Sequence, residues 1–96
     1  MRPSRASLAL LLVAAAPASG MAAAPPGASS CSGCHPPAGV RNAPVPALNG
    51  RPAGEIVSSM KAFQEGTKPA TVMDRIAKGF SDEEIAAIAA WLSRTP

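Results

Sequence analysis

The sequence predicts an all-α fold in one small domain. Two segments toward the C-terminus repeat apolar residues at helical spacing and carry matching start and stop signals. No segment shows the apolar/polar alternation of a half-buried strand. The chain has 96 residues and no internal repeat, which leaves room for a single core. A core of that size generally needs a staple such as a disulfide, a metal or a covalent group.

Taken in chain order, Met1 to Arg5 is a short basic stretch, Ala6 to Ala16 is an apolar run ended by Pro17, and small residues follow. This is the layout of a secretory signal peptide, and the run is well short of the roughly 20 apolar residues that a membrane span requires. Residues 1–24 are read as signal peptide and cleavage region, with the cut between 18 and 24. Residues 25–30, including Pro25-Pro26-Gly27, read as a linker. At most a turn or so of helix, from about Ala28 to Cys34, can follow. Pro36, Pro37, Pro44 and Pro46 then keep the stretch from Pro36 to Asn49 extended. Pro52 suits a first helical position, Ile56, Met60 and Phe63 share one helical face with Val57 beside them, and Gly66 supplies a stop. Thr71 to Lys78 reads as a short helical segment closed by Gly79. The last helix is announced by Ser81 with Glu84 three residues on, a capping box, with Phe80 and Ile85 at hydrophobic-staple positions. Asp82, Glu83 and Glu84 meet the positive end of its dipole. Ile85, Ile88 and Leu92 form its buried stripe, flanked by Ala89 and Trp91.

The chemistry is concentrated in Cys31-Ser32-Gly33-Cys34-His35. Both cysteines and the single histidine of the chain lie in this pentapeptide. A C-x-x-C-H run is the attachment signature of a c-type haem. Two thiols three positions apart on a tight turn can add to the two vinyl groups of one porphyrin edge, and the adjoining imidazole is placed to bind the iron. A zinc site needs about four ligands and finds at most three here. A thioredoxin-like pair expects a βαβ setting, which this chain does not offer. Cys31 and Cys34 are therefore the expected covalent anchors of one haem c, and His35 a metal ligand. For the second axial position the residues leave Met60, Met73, a lysine or an open site.

Composition excludes several classes. The formal charge of +3 includes Arg2 and Arg5 of the leader; the remainder carries seven basic and six acidic residues. No dense basic stripe with interleaved aromatics supports nucleic-acid binding. No Ser/His/Asp arrangement is open to a chain whose one histidine is committed to iron. A Gly-rich nucleotide fingerprint is also missing, so flavin chemistry would have to reside on another chain. An exported chain with this motif belongs in the periplasm.

The stretch from Pro44 to Ser93 contains Pro46-Ala47-Leu48-Asn49-Gly50-Arg51-Pro52, Met60-Lys61-Ala62-Phe63, Thr71-Val72-Met73-Asp74-Arg75-Ile76-Ala77-Lys78-Gly79 and Ser81-Asp82-Glu83-Glu84-Ile85-Ala86. With the haem motif it resembles the small class I cytochromes c, and among them most the monohaem cytochrome subunit of flavocytochrome c sulfide dehydrogenase. The resemblance implies a small class I cytochrome c fold over residues 31–96 around one covalent haem, with Met73 as the distal ligand. It implies Pro46 as the carbonyl partner of the His35 Nδ1 proton, fixing the ring. It also implies single-electron transfer, with an FAD flavoprotein sulfide dehydrogenase subunit as partner and a downstream periplasmic electron acceptor. A free-standing diffusible periplasmic carrier is the alternative. Two departures stand out: Pro36 follows His35 where the family usually has glycine, and the N-terminal helix is shortened by Pro25-Pro26-Gly27. The second departure predicts that part of the Ile85 to Leu92 helix is left uncovered near Ile88, Trp91 and Leu92.

Overall fold

The computed structural model describes Leu12, Ala14, Ala15 and residues 23–96, so the signal-peptide reading of residues 1–24 falls largely outside the described residues. Among these residues there are four helices and no strand: α1 (Ala28–Ser32), α2 (Ala53–Glu65), α3 (Met73–Ala77) and α4 (Asp82–Arg94). The all-α prediction therefore holds, with its shortened first helix.

The two long helices, α2 and α4, carry local start or stop signals. The capping box of α4 is formed in both directions, Glu84 N donating to Ser81 Oγ at 3.1 Å and Ser81 N donating to Glu84 Oε1 at 3.3 Å. Pro52 sits one place earlier than predicted, at the N-cap of α2 with extended backbone, where its missing N–H leaves no orphan donor. Gly66 closes α2, its N–H returning to Phe63 O at 3.3 Å, and Thr67 N bonds to Ala62 O at 3.0 Å. The segment predicted as helical from Thr71 to Lys78 narrows to five residues. Helices as short as α1 and α3 do not persist alone, so tertiary contacts hold both.

α2 packs against both α3 and α4, and α4 lends the core most of its buried residues. Ile85, Ile88, Ala89 and Leu92 are 3%, 5%, 0% and 2% exposed, and Ile56 of α2 joins them in the core. Burying an aliphatic side chain of this size contributes about 1.5–3 kcal/mol. Ala28 of α1 is fully buried in the same cluster, and Leu48, Met60, Phe80 and Trp91 pack around it. The expectation of an uncovered Ile85 to Leu92 helix is thereby overturned: Ile88 and Leu92 are buried within the chain and Trp91 is half-buried. A five-residue α1 suffices because its crossing point is built from small residues. A Cβ on Gly27 would lie 2.9 Å from Phe80 Cε1 and 3.5 Å from Ile88 Cδ1, so the chain at this turn comes close to side chains packed on α4.

α2 is fastened to the other helices by polar contacts. Lys61 Nζ meets Asp82 Oδ1 at 2.8 Å, an exposed ion pair between α2 and the start of α4. Gln64 Nε2 donates to Ala77 O at 2.8 Å and to Phe80 O at 3.2 Å, across to the end of α3 and the turn that follows. Among the described residues no helix is long and apolar enough to cross a membrane.

Candidate cofactor site

The C-x-x-C-H run leaves α1 on a tight turn. Cys31 lies within α1, Gly33 caps it, and Cys34 N and His35 N both return to Cys31 O, at 3.2 and 2.9 Å. This turn gathers both thiols and the imidazole at one cavity of 760 Å³, which Cys31, Cys34 and His35 all line. The cavity wall is otherwise mostly apolar, with Leu48, Phe63, Phe80, Ile85, Ile88 and Leu92 contributing from all parts of the fold. Burial pushes the Cys31 thiol above its ordinary pKa, whereas its backbone hydrogen bond acts in the opposite sense.

The His35 ring is oriented by its neighbour. Nδ1 lies 2.6 Å from Pro46 O. A peptide carbonyl only accepts, so Nδ1 donates, and this Nδ1–H tautomer is the one that keeps the Nε2 lone pair for a metal. Pro46 is itself held by a braced loop. Arg51 Nε donates to Ala47 O at 2.9 Å, Arg51 N to Leu48 O at 3.2 Å, and Gly50 N to Leu92 O at 3.0 Å, which ties the loop to the end of α4. Asn49 Nδ2 adds a bond to Pro96 O at 3.2 Å.

Met73, the first residue of α3, lines the same cavity and is half-buried. So does Met60, which also packs on the core cluster from the middle of α2. The fold thus brings together all five residues that the sequence singled out, Cys31, Cys34, His35, Pro46 and Met73. It also places at that cavity several that the sequence did not single out, among them Leu48, Arg51, Ser59 and Lys68. Lys68 reaches Ser59 Oγ at 2.9 Å and lies 5.2 Å over the Phe63 ring. Its signal in the sequence was weak, since a lysine just past a helix stop usually reads as solvated surface.

The donor set suits a haem: two thiols and a tautomerically fixed imidazole on one turn, a thioether on another segment, and apolar walls between them. Among the described residues there is no group of three or more His, Cys, Asp or Glu side chains placed to hold a bare metal ion. Cys31 and Cys34 would anchor a haem, His35 and Met73 would hold its iron, and Pro46 would keep the imidazole in place.

No protein-family model matches the chain. It is 39% identical over 82 residues to the thiosulfate dehydrogenase electron acceptor of Thiomonas intermedia, covering 83% of this chain and 37% of that protein. It is 38% identical over 60 residues to the cytochrome subunit of sulfide dehydrogenase of Chlorobaculum tepidum, covering 62% of this chain and 54% of that protein. The chain therefore spans well under two thirds of these two relatives. With cytochrome c-554(548) of Halomonas halodenitrificans it shares 41% identity over 68 residues, 67% of this chain and 82% of that protein.

Proposed function

The chain belongs to the c-type cytochrome family, and from that premise we propose that it is an exported monohaem cytochrome that passes single electrons in the periplasm, as the haem subunit of a flavocytochrome c sulfide dehydrogenase. The observation that supports this most directly is the His35 imidazole, its Nδ1 proton held by Pro46 O at 2.6 Å, on the same turn as two thiols and facing the cavity that Met73 also lines. In this reading residues 1–24 are the leader removed on export, 25–30 are the linker and 31–96 form the haem domain. Cys31 and Cys34 would attach the haem, and His35 and Met73 would hold its iron. A haem ligated on both faces supplies one-electron exchange through its ring edge.

The chain's own residues then have simple tasks. Pro46 fixes the imidazole tautomer and would raise the basicity of the nitrogen left to bind iron. Ile85, Ile88, Leu92 and Phe63 keep the cavity apolar, which favours the form of lower net charge and so tunes the potential. The partner in this reading is an FAD flavoprotein that oxidises sulfide, passing two electrons on as successive single transfers, with a periplasmic acceptor downstream. It draws support from the resemblance to the Chlorobaculum tepidum subunit. A second reading, a diffusible carrier, is favoured by the burial of Ile88 and Leu92 inside the chain, which removes one reason for a permanent partner.

The test has two stages. Denaturing mass spectrometry of the mature protein should show one haem adduct on a processed chain, and extraction of the haem by acid acetone would overturn covalent attachment. Native purification should then recover a flavin-containing partner through which sulfide reduces the haem. A monodisperse monomer that sulfide cannot reduce, even with candidate flavoproteins added, establishes the free carrier instead.

A further inference from the structure

We infer that Gln64 is the latch that holds the Met73 segment over the cavity, a positioning residue for the distal thioether. This rests on Met73 being that ligand. The segment from Thr67 to Phe80 crosses from the end of α2 to the start of α4 and is tied to α2 at both ends. Its near end is tied by exposed contacts: Thr67 Oγ1 to Ala62 O at 3.3 Å and Lys68 Nζ to Ser59 Oγ at 2.9 Å. Its far end is tied by the half-buried Gln64 amide, which spans two carbonyls, Ala77 O and Phe80 O. Between these ties lies α3, five residues long with Met73 at its head.

The difference in exposure decides which tie matters. An exposed hydrogen bond is exchanged readily for one to water, whereas losing this partly buried pair strips Phe80 O of its donor and leaves Ala77 O with only the longer bond from Phe80 N, at 3.3 Å. The five residues of α3 cannot hold helical form unaided. Ala77, whose carbonyl Gln64 holds, is fully buried, so this end of the segment is also its packed anchor. Gln64 is four residues beyond Met60 and beside Phe63, on the apolar face of α2. A polar residue in that position is retained for a partner more readily than for solubility.

Displacing the Met73 thioether requires the segment to lift, and lifting breaks the Gln64 bonds. The oxidised holoprotein is titrated with imidazole, which competes for the distal position, and the loss of the weak long-wavelength thioether-to-iron band is followed. Gln64→Leu keeps helix propensity and most of the volume but removes the donor. It should tighten imidazole binding about tenfold, the equivalent of about 1.4 kcal/mol at 25 °C. Lys61→Ala, which breaks the exposed ion pair to α4, should leave the affinity within twofold. Native-state hydrogen exchange gives a readout independent of iron: in Gln64→Leu the amides of Arg75, Ile76, Gly79 and Phe80 should exchange faster while those in the middle of α2 and α4 do not. Unchanged imidazole affinity, or exchange that is unaltered or uniformly faster, overturns the latch. If the wild-type protein shows no thioether band, the ligand reading fails separately, and faster exchange confined to α3 still upholds Gln64 as the clasp of this segment.

Discussion

Gly27→Ala tests how the shortened N-terminal helix can cover α4, and its cost can be worked out from two features. Gly27 has φ 87°, in the left-handed region, where a side chain costs about 1–2 kcal/mol. Part of this, about 0.4–1 kcal/mol, is offset because alanine has less freedom than glycine to lose on folding. The new Cβ would also lie 2.9 Å from the Phe80 ring edge, which must shift within the packed cluster. Overpacking of this kind costs about 1–3 kcal/mol. Gly39→Ala is the matched control, since φ is 90° there and nothing lies within 4 Å of its Cβ. It should lose only about 0–1.6 kcal/mol, the left-handed penalty less the offset. Gly27→Ala should lose about 1–3 kcal/mol more. For a domain of this size each kcal/mol corresponds to about 4–8 °C, so the two melting temperatures should differ by at least several degrees. Thermal unfolding of both holoproteins, followed by far-ultraviolet circular dichroism and by haem absorbance, measures the gap. Equal melting temperatures would refute the close approach of the chain at Gly27 to Phe80.

Three further outcomes are expected. Met73→Ala should abolish the long-wavelength band of the oxidised protein and lower its potential, while Met60→Leu, a volume-conserving change, should leave both nearly intact and cost under about 1.5 kcal/mol; spectroelectrochemical titration of both variants checks this, and the reverse pattern would reassign the ligand to Met60. Ser81→Ala removes the acceptor for Glu84 N and should destabilise the fold by about 1 kcal/mol, read from denaturant midpoints at unchanged slope. The Lys61 ammonium is held above its ordinary pKa by its hydrogen bond and charge interaction with Asp82. Its contribution is therefore present at neutral pH and lost as pH rises through that raised value. The difference in stability between wild type and Lys61→Met should shrink at strongly alkaline pH and at high salt, and persistence under both conditions would show that Lys61 acts through packing of its stem.

Much of this protein was legible locally. The motif Cys31 to His35 needs only its own spacing to place two thiols and an imidazole on one turn. The start of α4 needs only Ser81 and Glu84, because capping is settled within four residues. The all-α class followed from periodicity, which reports on one face of one helix at a time. Pro46 as partner of His35 came through family resemblance rather than through any local signal, since eleven positions separate the two.

Tertiary structure decided the matters that depend on residues distant in sequence. Spacing could not tell whether five residues of α1 would cover α4. Ala28 shares one buried cluster with Ile56, Ile88, Ala89 and Leu92, and Gly27 lets the chain approach Phe80 and Ile88 closely. Both Met60 and Met73 line one cavity, a fact set by how α2 and α3 pack rather than by either segment alone. Nothing local marks Gln64, whose amide spans Ala77 O and Phe80 O. Local signals specify where helices begin, end and turn their apolar faces. The small side chains and buried amides that set how closely those helices meet gain meaning only from the partner across the gap.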